Sequence, residues 1–168
     1  GGAPEGFVQT ALIAGGIGTV DLTGAPVASA FIFNPLAGPV DAGIPGAVKS
    51  KTPTVTAIAG PVTARKFAGF TSLLGGNVLV SGGVSGGAVQ NSLEVFNWKT
   101  GVFESVTVAM PDGGRAQHVS TLLGDGTVLL AGGATTDPSA AAPQVTGQAD
   151  VFQLGANSEG TWDGQFLQ

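Results

Sequence analysis

The chain contains no cysteine and no tyrosine, and only one histidine and one methionine. Without cysteine it has neither a disulfide framework nor a thiolate metal site. Basic residues are few: Lys49, Lys51, Arg65, Lys66, Lys99 and Arg115 never cluster beyond a pair, and the formal net charge is −5. Nucleic acid is therefore not an expected partner, because phosphate recognition needs a basic patch. No apolar run reaches the roughly 18 residues of a membrane span, since Gly, Pro or polar residues interrupt each one. A soluble chain is the expectation. Helical patterning is also missing, because no segment sustains a 3.6-residue apolar period without Gly or Pro. The opening "GGAPEG" carries no Met, which suggests processing or excision from something longer. Scarce Lys and Arg, with loops rich in Ser, Thr, Gly and Ala, lean towards an extracytoplasmic place, periplasmic or at the cell surface.

The 168 residues suffice for one domain or a piece of one, with a substantial core. Apolar residues make up 43% and come in organised runs, which argues against disorder. One phrase occurs twice. "TLLGDGTVLLAGG" at 121–133 has a looser copy, "SLLGGNVLVSGG", at 72–83, and the Gly pair recurs in "TALIAGG". Anchored on Gly15-Gly16, Gly82-Gly83 and Gly132-Gly133, three units emerge, and Arg65 aligns with Arg115 and Thr71 with Thr121.

Each unit continues through a variable loop into a short strand ending in Phe: "SAFIFNP", "SLEVFNW" and "QADVFQL". Phe33, Phe96 and Phe152 are thereby equivalent, at steps of 63 and 56 residues. Phe103 lies seven residues beyond Phe96, and Trp162 is expected to take its place in the third unit. Gly75-Gly76-Asn77 and Gly124-Asp125-Gly126 supply the positive-φ residues of tight hairpins, with "NPLAG" and "NWKTG" as the later turns. The consecutive apolar residues of "TVLLA" need cover on both faces, as in stacked sheets. The Gly pairs read as strand ends that let a neighbouring sheet approach closely, not as phosphate loops, since a strand and no helix follows them.

An Arg-bearing first strand, an apolar second strand ending in Gly-Gly, a third ending in an aromatic and a second aromatic downstream resemble the kelch repeat. "RAQHVSTLLGDGTVLLAGG" with "ADVF" and "TW" carries the resemblance best. The second unit has Phe103 where that family usually has Trp, and the first matches only from its second strand onward. The resemblance implies an all-β fold, a β-propeller segment of about three four-stranded blades: 7–60 lacking its first strand, 64–109 and 114–168. Propellers close with about four to eight blades. Eleven strands in three units are thus expected to belong to a larger ring, completed by a protein partner or by the remaining blades.

Arg65 and Arg115 recur at one position, and Glu94 and Asp150 at another; the first unit lacks the Arg and has Phe31 in place of the carboxylate. Joint loss points to structural ion pairs, within or between blades. His118 shows no accompanying nucleophile and acid, and no set of metal ligands is visible. Neither catalytic nor metal-binding residues are assigned, no cofactor is expected, and the chain is read as no enzyme. Galactose oxidases share kelch-like folds, but their copper-radical chemistry needs Tyr and a Cys-linked Tyr, absent here. Trp98, in a turn, and Asp137, in the loop 134–147, are possible contact residues. The second-to-third connections, 17–28, 84–91 and 134–147, fall on one face with the blade-to-blade connections, and binding is expected there. Protein–protein contact or assembly is the function this favours. The alternative is a carbohydrate-binding or hydrolytic propeller, taking a glycan, with its active residues in further blades.

Overall fold

The computed structural model describes residues 11–16, 24–34 and 54–167. Expectations placed on 7–10, 17–23, 35–53 and 168, including the "NPLAG" turn, lie outside the described residues.

The fold is all-β. Strands β1 (Ala11–Ala14), β2 (Ser29–Asn34) and β3 (Thr54–Ala59) form a first antiparallel sheet in the order β1-β2-β3. A second meander comprises β4 (Gly69–Ser72), β5 (Val78–Ser81), β8 (Ser92–Asn97) and β9 (Val102–Ala109). Its second-to-third connection folds into a small hairpin, β6 (Val84–Ser85) with β7 (Ala88–Val89). A 3-10 turn at Pro111–Gly113 leads to the third meander, β10 (Val119–Leu122), β11 (Val128–Ala131), β12 (Ala149–Ser158) and β13 (Thr161–Leu167). Among the described residues no helix is long and apolar enough to cross a membrane.

The three aromatic-ended strands occupy equivalent places. Phe33 pairs with Ala11, Phe96 with Val78 and Phe152 with Val128, and each partner stands four residues before its Gly pair. Side chains alternate across a strand, so every sheet has two faces, here called front and back. The back of sheet one (Leu12, Ala14, Ala30, Ile32, Ile58) packs on the front of sheet two (Val78, Val80, Phe96, Phe103). The back of sheet two (Leu79, Leu93, Val95, Val106) packs, with Met110, on the front of sheet three (Val128, Leu130, Phe152, Phe166).

Two details differ from the sequence reading. Phe166, not Trp162, stands opposite Phe152, with ring centroids 5.3 Å apart, as Phe103 stands opposite Phe96 at 5.1 Å. β12 runs on past Phe152 with a register shift between Leu154 and Asn157, which moves the turn and displaces Trp162 up the hairpin. Sheets two and three are also not separate. One parallel bridge, Trp162 to Val106, joins β13 to β9, while β4 and β10 lie against each other. Together they make a nearly closed, barrel-like array of eight strands.

Candidate functional site

The two arginines hold equivalent positions just before β4 and β10. Arg65 Nη2 donates to Glu94 Oε1 at 2.5 Å and to Ser92 Oγ at 3.1 Å, and Nη1 donates to the carbonyls of Gly82 (2.8 Å) and Ser92 (3.1 Å). Glu94 accepts in addition from the backbone N–H groups of Val62 (2.8 Å) and Thr63 (3.0 Å). Arg115 repeats the arrangement, pairing with Asp150 and donating to the carbonyl of Gln148 at 3.0 Å. Each pair lies within one meander and ties the strand entry to the third strand. Burial pushes the Arg65 pKa below its ordinary value, while the Glu94 charge and hydrogen bond oppose the shift. The side chain of Glu94 is 2% exposed and that of Asp150 17%, so the first pair is the more deeply sealed.

Between sheets two and three, Ser81 Oγ and His118 Nε2 are 2.7 Å apart and buried. Burial, and then the neighbouring Arg115 charge, lower the His118 pKa to about 4, against a smaller raising effect of the Arg115 backbone. Among the described residues His118 Nδ1 has no hydrogen-bond partner. A hydroxyl–imidazole pair needs an orienting acid and an accessible hydroxyl to work as a nucleophile. Here Nδ1 meets no acid, and Ser81 is 0% exposed. Among the described residues no group of three or more His, Asp or Glu could hold a metal ion.

Described residues of the three second-to-third connections line a shallow pocket of about 310 Å³. Gly24, Ala25 and Pro26 come from the first connection, Gly86 and Gly87 from the β6–β7 turn, and Asp137 from the third. Lys66 forms part of the wall. Its Nζ lies 3.5 Å from Asp137, donates to Ser139 Oγ at 3.0 Å and sits 5.2 Å from the Phe67 ring centroid. Burial works to raise the Asp137 pKa, but hydrogen bonds from Ser139 and the charge of Lys66 hold it below the ordinary value. Lys66 was not singled out from sequence; its only signal is a second basic residue directly after the recurrent Arg.

Trp98 sits at the opposite end of the sheets. It is 54% exposed and lies against Gly76, where an added Cβ would come within 3.1 Å of its ring. Trp162 instead serves the outer seam. Its Nε1 donates at 2.7 Å to buried Glu104, which also accepts from Asn157 (2.5 Å), Asn97 (3.2 Å) and Thr100 (3.3 Å). This hub joins β9 to the β12–β13 hairpin, and nothing in the repeat pattern marks Glu104.

The two end faces carry the clearest asymmetry. Ile13, Val80 and Leu130 occupy one position on the front of successive sheets, yet Ile13 is 55% exposed while the others are 0%. Beside it the front of sheet one exposes Phe31 (37%) and Val55 (63%). On the back, Thr71 of sheet two is buried, whereas its counterpart Thr121 in sheet three is exposed, next to Val119 (60%) and Leu167 (41%). The glycines agree. A Cβ on Gly15 would meet the Arg65 carbonyl oxygen at 3.0 Å and one on Gly82 the Arg115 oxygen at 2.1 Å, each from the next sheet. At Gly132 only the Thr146 oxygen lies near, at 3.6 Å, within its own sheet.

No family model and no curated protein matches the sequence. Solved structures do resemble the fold. One is described as the structure of YjhT: TM-score 0.64, 10% identity, covering 95% of this chain and 42% of that one. Another is described as a novel fungal alcohol oxidase of the AA5 family in complex with copper: TM-score 0.55, 20% identity, covering 77% of this chain and 25% of that one. The chain thus spans less than half the length of these structures, and what it shares with them is an all-β fold.

Proposed function

We propose that the chain is a kelch-type, non-catalytic β-propeller segment of three blades, 7–60, 64–109 and 114–168, that serves protein–protein contact or assembly at a bacterial cell surface or in a larger complex. The carrying observation is unequal burial at equal positions: Ile13 and Thr121 lie open where their counterparts Val80, Leu130 and Thr71 are covered. Apolar faces of this kind are interaction surfaces in soluble proteins. The Arg65–Glu94 and Arg115–Asp150 pairs act as blade clamps, and sealed Ser81 beside His118 acts in packing. The loop-face pocket, with Lys66 and Asp137 side by side, favours a second reading: a carbohydrate-binding or hydrolytic propeller whose active residues lie in further blades.

The structure of the native particle, with a glycan-array screen, tests the proposal. Sheets covering both ends around a shared axis are the expected result. End faces left open to solvent, or saturable glycan binding in the absence of any protein partner, would overturn it.

A further inference from the structure

We infer that His118 makes the joint between sheets two and three acid-sensitive: protonating its imidazole opens that joint at the inner strands while each sheet keeps its own strand pairing. The inference concerns two packed sheets only, so it holds or fails whatever covers the end faces.

His118 stands where the two sheets come closest. An added Cβ on Gly69 would meet its Nε2 at 2.7 Å, one on Gly82 its Cε1 at 3.1 Å and one on Gly133 its Cβ at 2.9 Å, so the side chain is wedged among three glycines. It is 8% exposed; Ser81 Oγ of sheet two lies 2.7 Å from Nε2, and Nδ1 has no partner among the described residues. A neutral ring fits this slot. A charged one brings two N–H donors and a cation into a low-dielectric joint.

Among the described residues no group around the ring accommodates that charge. Sheet three contributes Arg115, whose positive charge opposes protonation and whose counterion, Asp150, is already paired with it. Sheet two contributes Arg65, bound to the Gly82 carbonyl and paired with Glu94, while Gly69, Ser81 and Met110 carry no charge. The Arg115 backbone gives partial relief, but its carbonyl already accepts the Gly83 N–H across the joint at 3.0 Å. A proton on His118 thus competes with a bond that holds the sheets together. In the open joint the ring regains its ordinary pKa of 6.5, against about 4 when closed. Opening is therefore favoured as pH falls between those values, by up to about 300-fold, and levels off below.

Two amides report on the joint, Gly83 N–H on the Arg115 carbonyl and Gln117 N–H on the Phe67 carbonyl. The test is amide hydrogen exchange of the purified chain between pH 6.5 and 4, corrected for intrinsic exchange, beside the NMR titration of its single imidazole. The expected result is an imidazole midpoint near 4 and a loss of protection at Gly83 and Gln117 on the order of 100-fold. Amides bonded between β5 and β8 keep theirs, and His118→Gln abolishes the loss. An imidazole midpoint near 6.5 overturns the inference, even should His118→Gln not fold. Equal losses in His118→Gln assign the effect to carboxylates and overturn it. Parallel loss at the β5–β8 amides shows global unfolding and overturns it too.

Discussion

Replacing the first glycine of each pair by alanine separates the cost of backbone strain from the cost of a neighbouring sheet. Gly15, Gly82 and Gly132 have φ of 70°, 57° and 66°, so each alanine variant bears a similar left-handed backbone penalty of about 1–2 kcal/mol. Their surroundings differ. The new Cβ meets a carbonyl oxygen of the next sheet at 2.1 Å at Gly82 and at 3.0 Å at Gly15, but at Gly132 only an oxygen of its own sheet, at 3.6 Å. The contact at Gly82 is more than 1 Å too close and must push Arg115 away, an overpacking cost of about 1–3 kcal/mol. Gly82→Ala is thus expected to lose about 2–5 kcal/mol and Gly132→Ala only about 1–2. Urea denaturation resolves this, because with slopes of about 1–3 kcal/mol per molar a gap of ~2 kcal/mol moves the midpoint by about 1 M. Gly15→Ala should fall between the two, and it preserves the comparison should Gly82→Ala not fold. With the isolated chain monomeric, so that no further sheet covers Gly132, equal midpoints for Gly82→Ala and Gly132→Ala would refute close stacking as the reason for the paired glycines.

Other variants address the charged groups. Arg65→Met leaves Glu94 buried without its cation and is expected to cost about 3–5 kcal/mol by chemical denaturation; Arg115→Met should cost less, because Asp150 keeps more access to water. Equal losses would contradict the burial difference. For His118, the unfolded side chain takes up a proton near pH 6.5 and the folded one only near 4. Between those values the unfolded state binds more protons, so stability falls as pH drops from 6.5 to about 4 and levels off below, by at most on the order of 3 kcal/mol. Subtracting the pH–stability curve of His118→Gln isolates this contribution, and a flat difference curve would show that the imidazole titrates normally in the folded chain.

The repeat register was legible in the sequence because it rests on short-range rules: strand alternation, Gly at positive φ, and an aromatic closing each third strand. Arg65 with Glu94 and Arg115 with Asp150 were legible as partners because the first unit lacks both members. Phe166 was not, since the bulge between Leu154 and Asn157 shifts the last hairpin and leaves no mark in spacing. Glu104 was hidden for a different reason. Its hydrogen-bonding partners come from two sheets, and a carboxylate in a strand of alternating polarity reads as exposed until those sheets are brought together. Lys66 became a pocket residue only when three loops, 24–26, 86–87 and 134–147, met around it.

The carbonyl of Arg115 accepts from Gly83 N–H at 3.0 Å, so the Arg115-bearing turn latches onto the sheet before it. This gives the stack a direction, like overlapping roof tiles. Among the described residues no such turn covers Gly132, so in the isolated chain amide exchange around Gly132 should outpace that around Gly82.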